Sequence, residues 1–195
     1  MNKPRLLDLF CGAGGATKGY QRAGFYVVGV DIKPQPHYCG DEFYEADALT
    51  YPLEGFDAYH ASPPCQLWSK STKQWRKQGE IYPDYVTPIR WRFFEIHCLY
   101  VIENVVEAPL IQPMILNGGD FGINIHRPRA FETNFHVPFR LNCQLKKPLK
   151  MGRLPLNESD VIQPVGHFSG VKQVGVMMGL SGLTQAKPGL EELKL

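Results

Sequence analysis

A short apolar run, Arg5-Leu6-Leu7-Asp8-Leu9-Phe10, passes without a spacer into Cys11-Gly12-Ala13-Gly14-Gly15 and then into a helix-like stretch reaching about Ala23. Strand, glycine turn and helix in that order leave few folds open. The next run, Phe25 to Val30, is continuously apolar and closes at Asp31. Such a strand is buried on both faces, as in a parallel sheet covered by helices. Asp47 closes a third, weaker element. Phe56 to Ala61 reads as a fourth strand and Leu99 to Ile102, ending at Glu103-Asn104, as a fifth; between them Pro88 to His97 fits a helix with proline in its first turn. The expectation is an α/β, Rossmann-like domain with a mostly parallel central sheet, plus a reduced, irregular C-terminal region where proline and glycine break the pattern after Pro109. A chain of 195 residues suits one such domain, with a core over residues 1–135 and a reduced extension, 136–195, packed on it.

Hydrophobic content of 44% and charged content of 21% point to neither disorder nor a membrane protein. No segment offers the roughly 18 apolar residues of a spanning helix, and Lys3 and Arg5 lead straight into the first strand, so a soluble, cytoplasmic protein is expected. Cys11, Cys39, Cys65, Cys98 and Cys143 are irregularly spaced, which favours reduced thiols over a disulfide framework or a zinc knuckle. His37 with Cys39 lacks a second ligand pair, so no metal is expected. The net charge of +2 is small but uneven. Arg127, Arg129, Arg140, Lys146, Lys147, Lys150 and Arg153 face Glu132 as the one acid in their stretch, and Lys70, Lys73, Arg76 and Lys77 alternate with Trp68 and Trp75. Mixtures of that kind suit contact with phosphates and bases, and equally a solvated face or loop.

In an open parallel sheet, ligands bind beyond the carboxyl ends of the strands, where the strand order reverses. Asp8 to Gly15, Asp31, Asp47, Pro63 to Gln66 and Glu103-Asn104 all fall at such ends. The glycine turn lets backbone approach a ligand, and Asp31, nineteen residues beyond Gly12, suits hydrogen bonds from ribose hydroxyls. The spacing misses a strict GxGxxG, favouring a nucleoside without pyrophosphate over a dinucleotide; a tight strand-to-helix turn also packs with no ligand at all.

Cys65 follows Ser62-Pro63-Pro64, and a thiol on a proline-stiffened turn at a strand end is held outward rather than buried. Sulfur attacking carbon 6 of a cytosine ring would make carbon 5 nucleophilic enough to take a methyl group from a sulfonium donor. A partner at ring nitrogen 3 should lower that barrier, and Glu103 at the next strand end can supply it if it carries a proton; a capping or salt-bridged carboxylate is the competing role.

The set Asp8-Leu9-Phe10-Cys11-Gly12-Ala13-Gly14-Gly15, Ser62-Pro63-Pro64-Cys65-Gln66, Glu103-Asn104-Val105 and Arg127-Pro128-Arg129 resembles, in order and spacing, the motifs of DNA cytosine-5 methyltransferases, most nearly the short forms carried by phages. The likeness covers the chain to about residue 135. It implies a methyltransferase domain using S-adenosyl-L-methionine, with Phe10, Gly12, Gly14, Gly15 and Pro63 in the cofactor loop and pocket, Asp31 on the ribose and Asp47 on the adenine amino group. It implies Cys65 as nucleophile, Glu103 as ring-nitrogen partner, and Arg129 near the base carbonyl with Arg127 its companion. It implies DNA as partner, contacted by Gln66, Trp68, Ser69, Lys70 and Lys73 in a loop closing on a flipped base.

The chain also departs from that family. About forty residues separate Arg129 from Gly166-His167-Phe168, where the family carries a long target-reading region, and Val174 to Leu180 is similar to its penultimate motif while the last motif has no counterpart. The departures keep two alternatives open: a tRNA or free-nucleotide cytosine methyltransferase, and a catalytically idle subunit needing a partner or self-association to complete the C-terminal motif.

Overall fold

The computed structural model describes residues 2–138. The first strand, β1 (Arg5–Leu9), is exposed at Arg5 and buried from Leu6 onward, and β2 (Tyr26–Asp31) is buried through Val27–Val30. Between them runs α1 (Gly15–Arg22). Outside β2 lies β3 (Glu42–Glu45), whose polar composition suits an edge. The chain then returns to the other side of β1 as β4 (Ala58–Ala61), followed by α2 (Lys73–Lys77), α3 (Val86–Glu95) and β5 (Leu99–Asn104). Two further strands, β6 (Met114–Leu116) and β7 (Arg129–Thr133), complete a seven-stranded sheet of order β3-β2-β1-β4-β5-β7-β6. The first five strands are parallel; β7 pairs antiparallel with both β5 and β6.

This is the expected α/β, Rossmann-like architecture, with several local revisions. Phe56 and Asp57 lie outside β4, and β5 runs on to Asn104. The α3 helix starts at Val86, two residues before Pro88, and the Asp84 carboxylate ahead of it accepts the first-turn amides of Val86 (2.8 Å) and Thr87 (3.2 Å). The stretch after Cys65 is not a plain loop: it holds a 3₁₀ turn over Lys70–Thr72 and then α2. Beyond Pro109, β6 and β7 add ordered sheet where the sequence pattern had lapsed.

One sheet face presents Leu7, Leu9, Val28, Val30, Tyr59, Ala61, Tyr100 and Ile102 to Ile89 and Phe93 of α3. Arg90 of the same helix grips the buried Glu132 carboxylate with two bonds, Nε at 2.8 Å and Nη2 at 2.7 Å. Tyr100 Oη (3.1 Å) and the Ile111 amide (2.7 Å) complete its shell. The lone acid of the basic stretch is therefore a core group, which fastens α3, β5 and β7 together.

The chain forms two compact units, the first comprising Met1–Leu116 and Pro128–Arg140 and containing the whole sheet. Of the second, Asn117–Arg127 is described: the Asn117 side chain accepts the amides of Gly118 (3.0 Å) and Arg127 (2.7 Å), closing a short loop. Arg140, Cys143, Lys146, Lys147, Lys150, Arg153, His167, the Val174–Leu180 motif and nearly all of the 136–195 extension lie outside the described residues.

Candidate functional site

The winding reverses between β1 and β4, so the segments leaving their carboxyl ends are the two lips of the switch-point crevice. From β1 come Phe10 to Gly15; from β4 come Ser62 to Cys65. The neighbouring ends contribute Asp31 from β2 and Glu103-Asn104 from β5.

The first lip turns sharply, with positive φ at Phe10 (58°), Gly12 (51°) and Gly14 (90°). The Gly12 amide donates to Asp31 Oδ2 at 3.0 Å, and the Lys33 amide to Asp31 Oδ1 at 3.1 Å, so the half-buried carboxylate is fixed while keeping acceptor capacity. A Cβ on Gly14 would lie 2.9 Å from Cys39 Sγ and 3.2 Å from the Tyr38 ring, so only glycine fits there. Around Gly12 and Gly15 there is open space within 4 Å, leaving backbone accessible to a ligand. The Phe10 ring packs edge-on against Tyr85, centroids 5.8 Å apart. Asp47 is exposed in the turn after β3, where its Oδ1 accepts the Leu49 amide at 2.8 Å. Tyr38 and Cys39 are contributors that the sequence reading missed; neither residue type announces that it will wall a turn.

The second lip is held from three directions. The Ser62 amide donates to Leu9 O at 3.2 Å, Asn104 Nδ2 donates to the buried Pro63 carbonyl at 3.0 Å, and the Cys65 carbonyl accepts the amides of Trp68 (3.0 Å) and Ser69 (2.8 Å). Cys65 itself is half-buried, not sealed in hydrocarbon. The other inner thiols differ. Burial, with the Asp8 and Asp31 carboxylates nearby, pushes Cys11 far above the ordinary thiol range, and burial raises Cys98 to about 11.

Glu103 forms an ion pair with Arg129, Oε1 to Nε at 2.9 Å. The antiparallel register explains the contact, since Glu103 opposes Phe131 and Arg129 lies two residues earlier on the same face. The salt-bridged role weighed for Glu103 is therefore present. Arg127 belongs to the second unit and is exposed.

In the segment after Cys65, Gln66, Lys70 and Lys73 are exposed and Trp68 and Ser69 half-buried. Lys70 Nζ reaches Glu107 Oε1 at 2.6 Å, bridging the segments that follow β4 and β5. Arg76 turns inward: its Nη1 lies 2.6 Å from Gln66 O, 2.9 Å from Ser69 O and 2.5 Å from Thr72 Oγ1. One cation of the basic cluster thus serves as internal scaffold.

Comparison with known proteins finds relatives at the sequence level. The chain is similar to a type II methyltransferase. That protein, M.FnuDI of Fusobacterium nucleatum, is 25% identical over 187 residues, an alignment covering 75% of this chain and 54% of the relative. The chain thus spans about half the length of the curated relative it matches. No protein-family model matches it. Among solved structures, the S. pombe Dnmt2 methyltransferase is similar with a TM-score of 0.49 and 18% identity, over 70% of this chain and 53% of that one. A Salinibacter ruber RNA methyltransferase in complex with S-adenosyl-L-homocysteine gives 0.37 and 14%, over 71% and 86%.

Proposed function

We propose that this chain is an S-adenosyl-L-methionine-dependent methyltransferase that acts on carbon 5 of cytosine in DNA through a covalent adduct with Cys65. The observation that carries the reading is the pairing of lips at the sheet's reversal: an open glycine turn beside a fixed carboxylate on one strand, and a partly exposed, proline-held thiol on the next. The likeness to a type II methyltransferase supports the same class.

The residues present fit the cofactor. Gly12 and Gly15 leave room for its approach, Asp31 retains lone pairs for ribose hydroxyls, and Asp47 is exposed for an adenine amino group, with Phe10, Gly14 and Pro63 shaping the turns. When bound, the cofactor supplies a methyl group on positively charged sulfur.

The chain's own residues do the rest. Cys65 Sγ, as thiolate, bonds to ring carbon 6, and the π electrons displaced from the 5,6 double bond collect over the ring and at carbon 5. Glu103, when it carries a proton with the base bound, donates to ring nitrogen 3, and Arg129, its ion-pair partner at 2.9 Å, faces the base carbonyl. Once carbon 5 is methylated, its proton passes to solvent water, the C–H electron pair restores the 5,6 double bond and the carbon 6–sulfur pair leaves with Cys65 as thiolate. Gln66, Trp68, Ser69, Lys70 and Lys73 would hold the strand around an extruded base.

A transfer assay with labelled cofactor tests this against duplex DNA, tRNA and cytidine nucleotides, using the parent, Cys65→Ala and Cys65→Ser. The expected result is label on DNA cytosine carbon 5 with the parent and none with either variant. Full activity in Cys65→Ala would remove the covalent mechanism, and transfer to RNA or nucleotide alone would move the substrate.

A further inference from the structure

The parallel register sets Asp8 of β1 beside His60 of β4, and both are almost fully buried, at 1% and 2% exposure. Asp8 Oδ1 lies 2.7 Å from His60 Nδ1, and Asp8 Oδ2 accepts the Thr17 hydroxyl of α1 at 2.5 Å. The Tyr20 ring covers the imidazole, centroids 5.3 Å apart. The outer ring nitrogen, Nε2, reaches Ser62 Oγ at 3.4 Å, the long end of hydrogen bonding. Apolar residues at these two strand positions would fill the core without burying a carboxylate and an imidazole, so the pair adds specificity of position rather than bulk. Ser62 is also the last residue of this lip tied into the ladder, through its amide on Leu9 O. Three residues later comes Cys65.

We infer that His60 is a positioning residue for Cys65: Asp8 fixes the ring, the ring fixes Ser62, and Ser62 sets the rigid Pro63-Pro64 step that carries the thiol. With the Nδ1 proton donated to Asp8, Nε2 is an acceptor for the Ser62 hydroxyl, so a single tautomer satisfies both bonds. The inference rests on Cys65 being the nucleophile of the proposed reaction.

His60→Asn keeps a donor near the place of Nδ1 and removes Nε2, while Ser62→Ala removes the other partner of the same contact. The parent, both single variants and the double variant are treated with iodoacetamide, and each cysteine is followed by peptide mass spectrometry. Exposed Cys39 and buried Cys11 in the same sample report reagent activity and global opening. The expected result is alkylation of Cys65 about threefold faster in each single variant, with Cys11 still protected, reflecting a local loosening. The double variant should be no faster than the singles, because both remove one interaction. In methyl transfer, kcat should fall about tenfold while KM for the cofactor holds, the pattern of a misaligned reacting group. Unchanged Cys65 alkylation in both singles, multiplicative effects in the double, or Cys11 opening in step with Cys65 would overturn the assignment. Should the parent transfer no methyl group while the alkylation pattern appears, the proposed reaction fails and the positioning role stands.

Discussion

Asn104, the last residue of β5, donates its side-chain amide to the carbonyl of Pro63 at 3.0 Å while its own Oδ1 accepts the Val105 amide at 2.9 Å. Both groups are buried, so this one side chain ties the Cys65-bearing turn to the neighbouring strand. Asn104→Asp keeps the acceptor and loses the donor; Asn104→Ala loses both. We expect each variant to lose about 1–3 kcal/mol in denaturant unfolding, the cost of leaving buried polar groups unpaired. Methyl transfer should fall more than stability alone explains, which comparison of kcat at temperatures well below each variant's Tm will reveal.

Gly14 combines φ of 90° with contacts that leave no room for a side chain. Gly14→Ala should cost about 2 kcal/mol or more from backbone strain and the displaced Cys39 and Tyr38. Calorimetric titration with S-adenosyl-L-homocysteine should show binding lost or strongly weakened in Gly14→Ala; unaltered affinity would separate this turn from the cofactor.

The Arg90–Glu132 pair gives a test of packing against charge. Arg90→Leu alone leaves a buried carboxylate with its cation gone, and a loss of about 3–5 kcal/mol is expected. Arg90→Leu combined with Glu132→Leu removes the stranded charge, so its Tm should recover a large part of the loss. A double variant less stable than the single would contradict this account.

Alkaline pH should destabilise the fold. Burial raises Cys98 from 9.0 to about 11, and burial with the Glu132 carboxylate raises Tyr100 from 10.0 to about 12; Cys11 moves upward as well. Each is an acid that ionises sooner in the unfolded chain than in the folded one. Above pH about 9 the unfolded state therefore binds fewer protons, and stability declines through about pH 12. Thermal melts between pH 7 and 11 check the sign: Tm should fall as pH rises, and Cys98→Ser should flatten the first part of that fall.

The parallel half of the sheet was legible because its strands are apolar on both faces and end in recognisable polar turns; β1, β2, β4 and β5 were found within one or two residues. β7 was not, and Glu132 shows why. Alternation across Arg129–Thr133 points Phe131 inward and Glu132 outward, whereas the structure buries Ala130 and Glu132. The inversion depends on Arg90, a helix residue forty-two positions away, which no local pattern could supply. The motifs put the glycine turn, Asp31, Pro63, Cys65 and Glu103 at strand ends, and the structure has those ends adjoining one another. What escaped were the groups supporting them. Asp8 and His60 meet only through the register of β1 on β4, and Tyr38 and Cys39 meet Gly14 only because the chain folds back after β2.

Because the Arg76 guanidinium threads the Gln66 and Ser69 carbonyls and the Thr72 hydroxyl together, the stretch from Gln66 to Lys77 is braced from within. Gly79, two residues beyond it, turns the chain with φ of 96°. Ordering a slack chain costs about 1–2 kcal/mol for every residue. A stretch braced in this way has met that cost on folding, before any partner arrives.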